Sequence, residues 1–146
     1  MFTINKRLLN NTEAPLQDVR EAAQYLEPYK DIIVHKFYEN VTKSAELNNL
    51  ILEHTTVEKL KITLRQYIEQ FLQANVDETY IKNLIKIGQT HSRIKLNSNH
   101  FLMAHDMIFQ FMTTILMEKL YKQPNKMMRL IVSVETLGSF DKDRKS

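Results

Sequence analysis

The chain has 146 residues and a formal net charge of +3, enough for one hydrophobic core and too few for two ordinary domains. Two glycines and three prolines leave little turn chemistry for hairpins, which excludes a sheet-rich fold and points to an all-α domain. Zero cysteines exclude disulfides and thiolate metal sites.

Basic residues are interspersed with acidic ones rather than gathered on one face, so nucleic acid is not an expected partner. The N-terminal MFTINKRLLNN lacks the apolar core of a signal peptide, and the greasiest stretch is broken by His100, His105, Asp106 and Gln110. The protein is therefore expected to be soluble and cytoplasmic, without membrane insertion.

In chain order, Thr12 and Pro15 open a helix whose apolar stripe is Leu16, Val19, Ala22, Ala23 and Leu26, and Pro28 interrupts it. A second helix runs from about Tyr29 to Val41 and sets Phe37 beside Tyr38, whose hydroxyl then needs a partner. Ser44 caps a short or irregular segment carrying Leu47, Leu50 and Ile51. Thr55 with Glu58 reads as a capping box for a helix that turns Leu60, Thr63, Leu64, Tyr67, Ile68 and Phe71 inward.

Asp77 caps the next helix, and the Asn97, Ser98, Asn99 cluster ends it. From about Asn99 to Tyr121 follows a helix apolar on two sides. One face carries Phe101, Leu102, His105, Ile108, Phe109, Met112, Leu116 and Leu120, and Met103, Met107, Phe111, Ile115 and Met117 spread over much of the rest. Pro124 closes the connection and Asn125 caps a last helix with Met127, Leu130, Ile131, Val134, Leu137 and Gly138.

The segment Tyr80 to Phe101 carries the chemistry. At helical period Ile81, Leu84, Ile85, Gly88, His91 and Lys95 share one stripe, so an imidazole stands on an otherwise apolar face. Gly88, one turn before it, costs roughly 1 kcal/mol in a helix relative to Ala, which implies a close approach by another element. A lone histidine in such a place is commonly a core residue bonded to a carbonyl, and Thr63 can satisfy itself on the preceding turn.

No phosphate-binding glycine loop, GxSxG elbow, HExxH or inward pair of carboxylates is present, so an enzyme is not expected. Tyr38, Thr63 and His91 lie on three different helices, 25 and 28 positions apart. Three helices converging with a phenol, a hydroxyl and an imidazole describe a pocket, for a metal cofactor or a polar headgroup.

FYENVTKSAEL, VEKLKITLRQYIEQF and IGQTHSRI resemble the globin domain of the globin-coupled sensors, the haem aerotaxis transducers in particular, from about Asp18 to Asp141. The resemblance implies an all-α globin fold of seven to eight helices with an additional N-terminal helix. It implies haem b with His91 as proximal iron ligand, Tyr38 as the distal tyrosine donating to dioxygen and Thr63 as a second distal hydroxyl.

Two departures stand out. Lys95 replaces the family's glycine after HxRI, where a long cation would crowd the cofactor plane, and His100 then Phe101 replace a tryptophan–tyrosine pair. With no output domain expected in residues 1–146, the chain resembles a narrower group, the stand-alone non-haem sensor-domain proteins that inhibit sporulation in bacilli. That resemblance implies a fatty acid whose carboxylate meets an arginine and a chloride ion, and a role in titrating a signal away from a sporulation sensor histidine kinase.

The candidate ligand-binding set is Tyr38, Thr63, Tyr67, His91, Arg93, Lys95 and His100. Arg93 sits about 200° round the helix from His91 and reaches the pocket only if the helix ends there. The excess apolar surface points to a homodimer built with Met103, Met107, Phe111, Ile115, Leu130 and Val134 as a four-helix bundle. Three readings result: a fatty-acid sensor without haem, a haem sensor for dioxygen, and a structural dimerisation partner with a core His91.

Overall fold

The computed structural model describes residues 13–145. Among these, seven α-helices and one 3-10 turn account for the architecture: α1 Glu13–Leu26, the turn Glu27–Tyr29, α2 Lys30–Val41, α3 Ala45–His54, α4 Val57–Gln73, α5 Glu78–Arg93, α6 Ser98–Leu120 and α7 Pro124–Lys145. Thr12 and the expected additional N-terminal helix fall outside the described residues.

Helix α1 forms because Leu16, Val19, Ala22 and Leu26 recur on one face, and all four are buried. That face packs on α7, α4 and α6. Each fully buried leucine contributes roughly 1.5–3 kcal/mol, so truncating Leu26, which is wholly enclosed, would cost about 2–5 kcal/mol. The Asp18 carboxylate ties α1 to α7 by accepting from Arg129 and from the Ser133 hydroxyl at 3.0 Å. Pro28, unable to donate to a continuing helix, sits in the 3-10 turn that redirects the chain into α2.

Capping side chains set most helix starts. Ser44 accepts from Leu47 N at 3.3 Å, Asp77 from Tyr80 N at 2.9 Å and Asn97 from His100 N at 2.8 Å. Three expected boundaries move. The cap of α4 is Thr56, which accepts from Lys59 N, because the Thr55 N–H still closes α3 on Ile51 O. Asn97 begins α6 rather than ending α5, and α7 starts at Pro124, one residue before Asn125. The segment after Ser44 is a regular ten-residue helix.

Helix α5 ends at Arg93 in a paired set of bonds: Lys95 N–H to Ser92 O at 3.1 Å and Leu96 N–H to His91 O at 3.0 Å. These are the two bonds of a Schellman cap, whose pivot is left-handed and usually glycine. The pivot is Lys95, at φ 63°. Helices α5 and α6 both pack on α7, and α2 packs on α4 and α6, leaving a space enclosed by α2, α4, α5 and α6 with α3 along one side and the end of α7 at its base.

Candidate functional site: a cavity with a buried cation

That space is a cavity of about 660 Å³. Its apolar wall includes Phe37, Leu47, Ile51, Leu64, Ile87 and Ile108. Tyr38, Thr63, Tyr67, His91, Arg93 and His100 also line it, so six of the seven residues singled out from the sequence come together. Lys95 does not.

The stripe that placed Lys95 inward assumed 100° per residue beyond the last helical turn. The Schellman cap turns the chain at that residue and leaves its side chain exposed. The glycine expected there serves a left-handed backbone, not a tight side-chain space. The same early ending lets Arg93, an exposed last-turn residue, reach the cavity mouth. Ile85, on the expected inward stripe, is 47% exposed, and Ile87 packs on the core instead.

Each polar group has a definite setting. The Tyr38 hydroxyl donates to Leu60 O at 3.5 Å, a long bond, and burial raises its pKa. Thr63 is exposed at the rim and donates to Lys59 O at 3.1 Å, the local bond that suits a helical threonine. His100 stands 3.6 Å from the Glu46 carboxylate.

His91 lies against Phe101, ring centroids 5.1 Å apart. Burial and then the Lys145 ammonium push its pKa down to about 4, opposed by the nearby Lys145 backbone, so the ring is neutral at pH 7. Its Nδ1 is buried without a partner at hydrogen-bonding geometry.

Lys145 and His105 line the cavity, and Asp141 and Tyr80, bonded to each other, join it through Tyr67; these four carry chemistry that the sequence reading passed over. Asp141 is fully buried, and its Oδ2 accepts from the Tyr67 hydroxyl at 2.5 Å and the Tyr80 hydroxyl at 2.6 Å. Its Oδ1 has no partner. Burial raises its pKa to about 6 against the lowering effect of the two phenols and of Lys145 and Arg144. Burial, with the Asp141 charge, holds both phenols well above their ordinary range.

Lys145, 5% exposed, lines the cavity and sets its ammonium 3.9 Å above the Tyr67 ring. Burial lowers its pKa to about 8, with Asp141 opposing. His105, stacked on Phe109 at 4.5 Å, is buried with neither ring nitrogen at hydrogen-bonding geometry, Nδ1 standing 4.0 Å from the Asp106 carboxylate, and has its pKa pushed down by burial to about 3. One signal was available: the inward stripe Leu130, Val134, Leu137 continues at helical spacing through Asp141 to Lys145.

The base is held by a close approach. A Cβ on Gly88 would stand 2.8 Å from the Lys145 carbonyl oxygen, which explains a glycine inside α5. Of the residues considered for a dimer, Leu130 and Val134 are wholly enclosed in this chain's own core, so they have no surface to offer a second copy. Met107, Phe111 and Ile115 pack partly on that core, and Met103 is 66% exposed. Met117 on α6, Tyr121 just after it, and Met128 and Val132 on α7 are also exposed.

Among the described residues no group of three or more His, Asp or Glu could hold a metal ion, and no helix is long and apolar enough to cross a membrane. A haem asks less of the protein, a single neutral imidazole with a distal donor facing it. His91 with Tyr38 and Thr63 fits that donor set. The ammonium of Lys145 inside the same cavity fits a carboxylate.

A cavity enclosed between helices α4 and α5, with a histidine on one side and a tyrosine from α2 on the other, is that of a globin. The fold matches the globin domain of a Geobacter sulfurreducens globin-coupled sensor with a TM-score of 0.86 at 22% identity, over 98% of this chain and 93% of that one. The protoglobin family model matches residues 3–143, and the chain belongs to the protoglobin family.

Proposed function

We propose that this protein is a globin-fold sensor whose cavity takes a fatty acid rather than haem, and that it regulates signalling by sequestering that acyl signal from a sporulation sensor histidine kinase pathway. The observation that carries the ligand class is Lys145, a residue 5% exposed that lines a cavity walled mostly by apolar side chains. Burial of that cation is costly and the nearby Asp141 charge opposes the cost only in part; a carboxylate ligand adds a charge-assisted hydrogen bond while its alkyl chain covers the apolar wall. Arg93 and His100 supply positive or polar contacts at the rim. Self-association uses the outer face of α6 and α7 that exposes Met103, Met117, Tyr121, Met128 and Val132.

A second reading has its own support: Tyr38, Thr63 and His91 line one cavity from three helices. There His91 would hold the iron through its neutral ring, and haem would supply reversible dioxygen binding. Purification from an ordinary host decides between them. Colourless protein that releases a fatty acid on denaturing extraction supports the acyl reading. Red protein with a stoichiometric Soret band that vanishes in His91→Ala replaces it with the haem reading.

A further inference from the structure

The Asp141 carboxylate is arranged so that a proton can join it without disturbing its neighbours. Both phenols, Tyr67 from α4 and Tyr80 from α5, donate to Oδ2, and Oδ1 is buried and unpaired. Protonating Oδ1 leaves both phenol bonds in place. One turn further along α7, Lys145 projects its ammonium into the cavity over the Tyr67 ring.

With the cavity free of anions, the two buried charges, Asp141 and Lys145, balance, while the Arg144 guanidinium that also faces Asp141 is only partly buried and stays screened by solvent. An arriving carboxylate that pairs with Lys145 would leave a net negative charge in a low-dielectric site, which is costly. Resting on the acyl reading above, we propose that Asp141 takes up a proton on Oδ1 as a carboxylate ligand binds Lys145, so that this cavity loads an anion and a proton together.

The surrounding groups leave that exchange to Asp141 near neutral pH. His91 on α5 and His105 on α6 are neutral, their pKa values pushed down to about 4 and about 3. The phenols are pushed up, and Arg144, also facing Asp141, carries its charge throughout this range. Lys145 gives up its own proton around pH 8. Because Asp141 is mostly ionised at pH 7, a ligand that raises its pKa draws in up to one proton, and affinity then rises up to about tenfold for each pH unit of acidification.

Dodecanoate is the probe. Titration calorimetry at pH 7 in two buffers of different ionisation heat should show close to one proton taken up per dodecanoate, and affinity should increase between pH 7.5 and pH 6. Asp141→Asn, which retains an acceptor for both phenols and mimics the protonated acid, should bind at pH 7.5 as tightly as the wild type binds at pH 6. Set in a Lys145→Arg background, which cannot titrate, it should abolish the proton uptake that Lys145→Arg alone retains.

If these variants fail to fold, infrared difference spectra of the wild type give the answer directly. A protonated-carboxyl band should appear on adding dodecanoate and should not move when the dodecanoate carboxyl is labelled with carbon-13. A band that moves with the label puts the proton on the ligand and overturns the inference, as does binding without proton uptake, and in both cases the acyl reading survives. No binding of dodecanoate at either pH removes both.

Discussion

Replacing Gly88 with alanine puts a methyl group where the last turn of α7 crosses α5. The new Cβ would lie 2.8 Å from the Lys145 carbonyl oxygen, 3.2 Å from its carbon and 3.3 Å from the Arg144 oxygen. All three are backbone atoms, and the turn that carries them is pinned by the two phenol bonds to Asp141, so it cannot swing aside as a side-chain tip would. Overpacking of this kind costs about 1–3 kcal/mol, and alanine recovers roughly 1 kcal/mol of helix propensity. The net expectation is a loss of up to about 2 kcal/mol, which in a chain of this size lowers Tm by about 2–4 °C per kcal/mol.

Urea denaturation at pH 7 measures it through a lower midpoint at unchanged slope. Dodecanoate affinity should fall with it, because the carbonyl that must retreat belongs to the residue that carries the ammonium. A Gly88→Ala protein more stable than wild type by about 1 kcal/mol would show the propensity gain arriving unopposed, and the close approach would then be wrong.

Lys95→Gly should stabilise by roughly 0.5–1 kcal/mol, since a left-handed pivot strains any residue with a Cβ, and should leave dodecanoate affinity unchanged; weakened binding in urea-stable protein would return Lys95 to the cavity. Acid should destabilise the fold through its histidines. Folding depresses His91 to about 4 and His105 to about 3, so their contribution is whole above pH 6.5 and drains as pH falls, at up to about 1.4 kcal/mol per pH unit for each. Asp141, raised to about 6, works the other way, contributing stability below about pH 4 that is lost as pH rises through 6, so between pH 6 and 4 it offsets one histidine. His105→Leu should therefore flatten the pH dependence of the urea midpoint over that interval, and a wild-type midpoint already flat there would refute the assignment. Met117→Glu with Val132→Glu should convert a dimer to a monomer in sedimentation velocity at micromolar concentration, and a monomeric wild type would end the idea.

The helices and most of their caps could be read in the chain because amphipathic spacing and short polar N-caps act locally. Asp77 and Ser44 bond to the amides three residues on, as any residue of their type would. Gly88 was legible too, as an unfavourable helix residue whose cost had to be met elsewhere, although the chain alone could not say that the partner was the carbonyl of Lys145. Tyr38 and His91 could be gathered into one cavity because they occupy inward positions on two helices, and Thr63, expected inward with them, lines that cavity only from its exposed rim.

What escaped the reading depended on where helices stop. Lys95 lies two residues past the end of α5, beyond the reach of the helical period, and a cation expected in the cavity is the pivot of the cap. At the other end of the chain the opposite occurred. Phe140 to Lys145 looks like a charged, solvated tail, yet α7 keeps its inward stripe through Asp141 and Lys145, and both are buried. A buried carboxylate is legible only when its donors are known, and Tyr67 and Tyr80 lie 74 and 61 residues from Asp141 in sequence. The buried positive charge of the cavity thus comes from α7, the helix that also packs on α1, α5 and α6. On the acyl reading, a ligand that grips Lys145 would pull on the last turn of that helix and, through the phenol bonds of Asp141, on α4 and α5, which would link occupancy of the cavity to the seating of α7.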